Sequence, residues 1–179
     1  RIAEVGRIDA AAKQSIDADG LVLAPGIVDV HTHYDAQLTW DSDATPSPAL
    51  GVTTVVVGNC GFSIAPCPPE CRDLIARNLA EVEGMSLTAL RSGTNWEFES
   101  FDEYLGLLRQ KGVTPNVAAF IGHSAVRTMV MGEEASERAA NDDEVAAMRD
   151  LVVGGMDAGA IGFSTSTSIN HHGDGGVPM

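Results

Sequence analysis

The run Pro25-Gly-Ile-Val-Asp-Val-His31-Thr-His33 decides how the rest of the chain is read. Ile27-Val-Asp-Val30 is a short apolar stretch of the kind buried on both faces in a parallel sheet. Side chains alternate across a strand, so His31 and His33 project to one side and Thr32 to the other. Both histidines stand at the C-terminal end of the strand, where parallel barrels carry their active sites. Two imidazoles side by side, with Asp35 two residues on, make a pocket that suits Zn²⁺. A pair of partly buried polar histidines is the plainer reading.

Working outward, three more runs have a strand character: Val52-Thr-Thr-Val-Val-Val57, Asn116-Val-Ala-Ala-Phe-Ile121 and Ala160-Ile-Gly-Phe163. Helical patterns lie between them. Cys71, Leu74, Ile75, Leu79 and Val82 share one face, with Gly84 as a stop. Ser100-Phe-Asp-Glu103 fits a capping box ahead of Tyr104, Leu105 and Leu108. Asn141 is a second cap, followed by Val145, Met148, Leu151 and Val152 at helical spacing. Strand and helix in alternation predict an α/β fold with a parallel sheet. Four strands fall well short of a (β/α)₈ barrel, which takes about 250 residues. The fold expected is the first half of such a TIM-like barrel over residues 25–179. Residues 1–24 hold short alternating pieces around Gly6 and Asp19-Gly20, expected as part of a small β-sandwich domain. A complete small doubly wound domain is the rival. Four strands do not close a barrel, so the chain alone is expected to be truncated, to expose a sheet edge and to be inactive.

Composition narrows the partners. The 179 residues carry a net charge of −14, which disfavours nucleic acid and anionic membrane, since both select a basic face. The hydrophobic share of 44% excludes a disordered chain. No apolar run reaches the roughly 18 residues a membrane helix needs, and a cytoplasmic location is the expectation. Three cysteines make a disulfide scaffold a poor reading.

One of these cysteines falls in Gly58-Asn-Cys60-Gly61, which ends the second strand as the histidines end the first. As a thiolate Cys60 is a strong zinc ligand; as a thiol it is an ordinary buried residue. Cys67 and Cys71, in Pro66-Cys-Pro-Pro-Glu-Cys71, suit loop and helix-start packing, with a second site or a disulfide as alternatives. After the third strand, Arg127 beside His123 offers a bidentate hold on a substrate carboxylate, or a structural tie to loop carbonyls. His171 and His172, in a Gly-rich stretch, are expected in solvent or a substrate loop. The acidic run from Glu133 to Asp150 reads as a solvated outer helix face. The two lysines, Lys13 and Lys111, are not at strand ends facing the mouth.

These residues carry a resemblance. Val28-Asp-Val-His31-Thr-His33 resembles the first-strand metal motif of the amidohydrolase superfamily, and Gly51-Val-Thr-Thr-Val55 its second strand. His33-Tyr-Asp-Ala-Gln37, Thr39-Trp-Asp41, Gly58-Asn-Cys-Gly61, Gly122-His-Ser124 through Arg127, and Gly159-Ala-Ile-Gly-Phe-Ser-Thr165 are similar to the D-aminoacylase branch, the N-acyl-D-amino-acid deacylases. The resemblance implies a (β/α)₈ barrel with a small β-sandwich, one or two Zn²⁺ ions, and His31, His33 and Cys60 as ligands. It implies that Cys60 stands in for the carboxylated lysine of many relatives. The remaining histidine ligands and the catalytic Asp are implied on later strands that this chain does not hold. The implied activity is hydrolysis of amide C–N bonds in small N-acyl amino acids. A cyclic-amide hydrolase of the dihydroorotase or hydantoinase kind and a non-catalytic metal-binding protein are the alternatives. One departure stands out: after strand four that branch is Tyr- and Pro-rich, whereas this chain reads Ser166-Thr-Ser-Ile-Asn-His171-His172-Gly-Asp174.

Overall fold

A computed structural model describes residues 2–168 and 170–176; Arg1, Ile169 and residues 177–179 lie outside it. Four strands, β1 (Ile27–Asp29), β2 (Val52–Val57), β3 (Asn116–Gly122) and β4 (Gly162–Ser164), form one parallel sheet in the order β1-β2-β3-β4. The order follows the chain without reversal. A doubly wound sheet reverses its strand order at a switch point, so the rival reading loses its support and the half-barrel sheet is what is observed.

The helices are α1 (Arg72–Glu83), α2 (Leu87–Gly93), α3 (Phe101–Lys111), α4 (His123–Met131) and α5 (Asp142–Ala158). Both capping boxes form. Glu103 N–H donates to Ser100 Oγ at 3.2 Å while Ser100 N–H donates to the Glu103 carboxylate at 2.9 Å. Asn141 and Glu144 repeat the exchange at the start of α5. These contacts satisfy N–H groups that a helix end leaves without partners. Helix α1 buries Leu74, Ile75 and Leu79 as its spacing predicts. Helix α4 was not foreseen. It starts directly off β3 with no side-chain cap, so it lacks the usual entry signal. The core joins Val57, Ile121 and Val126 to Ile75, Leu79, Leu90, Phe98 and Tyr104.

Burial corrects one expectation. Val55 and Val57 on β2 are fully buried, but Ile27 and Val28 on β1 are over half exposed. Strand β1 pairs only with β2 and forms a sheet edge, so an apolar run alone did not tell a central strand from an edge one. Phe163 on β4, at the other edge, is also exposed. In the segment 1–24, where part of a β-sandwich was expected, the described residues hold no strand and are exposed throughout. No helix among the described residues is long and apolar enough to cross a membrane.

Candidate metal centre

Just past β1 the chain stays beside β2. Thr32 donates to the Val56 carbonyl from its N–H at 3.0 Å and from its hydroxyl at 2.8 Å. With Thr32 buried against β2, the alternation sends His31 and His33 to the opposite side, their ring centroids 5.2 Å apart. At the end of β2 the backbone turns sharply. Gly58 and Gly61 adopt φ of 77° and 85°, and Cys60 between them takes φ 57°. A Cβ on Gly58 would collide with the Phe120 carbonyl oxygen. Asn59 closes the turn, its side-chain amide donating to the Val56 carbonyl at 2.9 Å. Ser164 of β4 accepts from Gly61 N–H at 3.2 Å and donates to the Gly58 carbonyl, binding the turn from the far side. A non-glycine residue at positive φ is strained, and this turn uses that conformation to bring Cys60 to the histidines.

The result is a convergence of three donors, His31, His33 and Cys60, with ligand atoms all within 4.8 Å of one another. The Nε2 atoms of His31 and His33 are 3.3 Å apart. Cys60 Sγ lies 2.8 Å from His31 Nε2 and 3.8 Å from His33 Nε2. Tetrahedral zinc, with bonds of about 2.0 Å to nitrogen and 2.3 Å to sulfur, sets its nitrogen ligands about 3.3 Å apart and sulfur about 3.6 Å from nitrogen. The donor set suits a zinc ion; the His31–His33 and Cys60–His33 separations match this geometry, while Cys60 and His31 stand closer than it and would move apart around an ion. Burial first, then the Glu83 carboxylate, push the Cys60 thiol above its ordinary range. Burial alone would lower His33, but the contact and charge of Glu83 and the charge of Asp35 outweigh it and leave the ring raised. His33 Nδ1 and Glu83 Oε1 are 2.8 Å apart.

Asp35 does not join the three donors. It is buried beneath the loop, and burial raises its carboxyl to about 7 against the opposing pull of the Gly58 N–H and the His33 charge. The Tyr104 hydroxyl donates to its backbone carbonyl at 3.1 Å.

The other sequence candidates lie farther round the mouth. His123 opens α4, with Nδ1 3.2 Å from the Thr165 hydroxyl; burial and then Arg127 lower it from its ordinary value. His171 Nδ1 is 2.7 Å from the Ser166 hydroxyl, and its ring stands edge-on to Phe62. His123, His171 and Ser166 line a small recess with Cys60. Arg127 points elsewhere: Nε donates to the Ala135 carbonyl at 2.7 Å and Nη2 to the Arg138 carbonyl at 2.5 Å. Cys67 and Cys71 are buried free thiols, and burial pushes Cys67 up to about 12. Lys111 donates to the Thr39 carbonyl at 2.7 Å, away from the donors.

The sequence matches the amidohydrolase family over residues 14–174. The chain belongs to the amidohydrolase family. It is 45% identical over 170 residues to the D-aminoacylase of Alcaligenes xylosoxydans xylosoxydans, covering 92% of this chain and 32% of that protein. Among solved structures it resembles a D-aminoacylase described by its binuclear metal center, at 37% identity and TM-score 0.61. It also resembles the N-acyl-D-glutamate deacylase of Bordetella bronchiseptica complexed with zinc and a phosphonate inhibitor, at 33% identity and TM-score 0.62. Both alignments cover 79% of this chain and 27% of the other. The chain thus spans about a third of the length of the curated amidohydrolase it matches.

Sequence reasoning missed Glu83, Ser164 and Asn59. Asn59 was within reach, as the polar residue of a Gly-Asn-Cys-Gly turn. Glu83 and Ser164 carry no local signal, because each reaches the site only through the packing of α1 or β4.

Proposed function

We propose that this chain carries part of the metal centre of a zinc-dependent hydrolase of amide C–N bonds, with one or two zinc ions and small N-acyl-D-amino acids as substrates. The observation that supports it best is the convergence of His31, His33 and Cys60, with ligand atoms within 4.8 Å of one another. The named activities of the relatives supply the substrate class. When bound, the cation would polarise an amide carbonyl and lower the pKa of a water molecule toward about 7.

The chain's own residues do the rest. His31 and His33 offer nitrogen donors, and Cys60, on losing its proton as a cation binds, would supply negative charge. Thr32, Asn59 and Ser164 hold the two donor segments in register, so that the donors are already gathered when the cation arrives. His123, kept neutral by its burial, is our candidate for the substrate side of the recess beside Cys60. Arg127 backs it from behind, its two nitrogens on loop carbonyls. The domain reading belongs to the same proposal: residues 1–24 contribute to a small β-sandwich and residues 25–179 form the first four strand–helix units of a barrel. Free buried thiols at Cys67 and Cys71 suit a reducing, cytoplasmic setting.

The test is an assay of a protein carrying this chain at full length against N-acetyl-D- and N-acetyl-L-amino acids, beside hydantoin and dihydroorotate. Turnover of the D-acyl substrates, lost on chelation and restored by zinc, is expected. Turnover of the cyclic substrates alone would overturn the deacylase assignment, and zinc retention without any turnover would favour a non-catalytic metal-binding role.

A further inference from the structure

Helix α1 ends at Glu83, with Gly84 following at φ 62°. A carboxylate is poorly placed there, since the C-terminal end of a helix carries partial negative charge. It is also largely buried: the side chains of His33 and Glu83 are 17% and 16% exposed. Glu83 Oε1 and His33 Nδ1 are sealed from solvent, and among the described residues neither has an aligned hydrogen-bond partner. Burying a charge at an unfavourable helix end costs stability unless the partner repays it. Among the described residues Oε1 pairs with the His33 ring nitrogen that faces away from Cys60 and His31. Their separation has the length of a charge-assisted hydrogen bond, though not its ideal alignment.

The geometry points to Glu83 as the residue that positions His33, holding the proton on Nδ1 and so leaving the Nε2 lone pair free beside His31 and Cys60. This rests on the metal reading of the three donors. A neutral imidazole carries one proton on either nitrogen, and only the unprotonated nitrogen can ligate. A carboxylate on the far nitrogen fixes the tautomer, stops the ring from turning, and makes the ligating nitrogen more basic. Asp35, the other nearby carboxylate, is drawn to the Gly58 N–H, and the ion pair of the His33 ring is with Glu83. Exposed His31 shows no such carboxylate contact, and among the described residues its side-chain contacts are with His33 and Cys60. Glu83 is thus a positioning residue that acts through His33.

The test uses a protein carrying this chain at full length, with Glu83→Gln and Glu83→Leu variants. Zinc affinity of the metal-free protein, read by competition with a chromophoric chelator, is expected to fall about 10–100-fold in Glu83→Leu. Glu83→Gln, which keeps a carbonyl acceptor of the same shape, should recover part of that loss. In metal-free protein labelled with ¹⁵N-histidine, long-range ¹H–¹⁵N correlation should show His33 as the Nδ1–H tautomer, changing in Glu83→Leu while His31 stays as it was. A purely structural role would lower the melting temperature and leave the tautomer alone. Wild-type zinc affinity together with an unchanged His33 tautomer in both variants overturns the assignment. Unmutated protein that takes up no zinc overturns the metal reading instead, and the tautomer measurement then decides the Glu83–His33 contact by itself.

Discussion

The two halves of the sheet's C-terminal rim use the same residue types to opposite effect. At the ends of β1 and β2, His31, His33 and Cys60 turn their donor atoms toward one another and leave backbone carbonyls to Thr32 and Asn59. At the ends of β3 and β4, the polar groups disperse: His123 faces Thr165, His171 faces Ser166, and Arg127 takes two carbonyls. Polar groups dispersed in this way offer a cation no shared point. Donor atoms held close together are an arrangement that a cation would stabilise, because it replaces their mutual crowding with bonds.

The sharpest way to break this comparison is Cys60→Ser. The fold should survive, with a stability change below about 1 kcal/mol, while zinc affinity falls by more than the roughly 10–100-fold typical of an outer partner and amide hydrolysis is lost. Cys67→Ser and Cys71→Ser should leave zinc content unchanged by elemental analysis. Loss of zinc in either of these with retention in Cys60→Ser would transfer the site to the C-x₃-C pair.

Gly58→Ala strikes the turn rather than the donor. It combines a positive φ with a collision against the Phe120 carbonyl, and about 2–4 kcal/mol of stability should be lost in urea unfolding. A neutral result would mean that the turn can relax and that Cys60 is not held by it.

On the dispersed half, Arg127→Met should leave the Ala135 and Arg138 carbonyls without their donor. A loss of about 1–2 kcal/mol is expected, with zinc affinity unchanged. If stability is kept and KM for an acyl amino acid rises steeply, Arg127 belongs to substrate binding after all.

The smallest effect is expected at the start of α5. Hydrogen bonds from Arg138 hold Glu144 down at about 2 from an ordinary 4.5. A carboxyl depressed in the folded state contributes stability above its unfolded value, and that contribution is lost as pH falls through the folded one. Glu144→Gln should therefore flatten the acid limb of a melting-temperature profile between pH 5 and pH 2. An unchanged limb would show that this exposed network adds nothing to stability.

What the sequence by itself determined is what short-range geometry dictates. Alternation along one strand put His31 and His33 together, glycines on both sides of Cys60 marked a sharp turn, and Ser100 with Glu103, and Asn141 by itself, marked two helix starts. Each of these needs only a few consecutive residues, so the reading survived folding. The tertiary structure alone decided the rest. It left the apolar run of β1 at a sheet edge, because burial depends on neighbours and not on composition. It turned Arg127 onto loop carbonyls, because α4 aims the side chain there. It brought Glu83 from the end of α1 to His33, and Ser164 from β4 to the Gly58–Gly61 turn, because contacts between distant segments are set by how helices and strands pack and leave no periodicity behind in the chain.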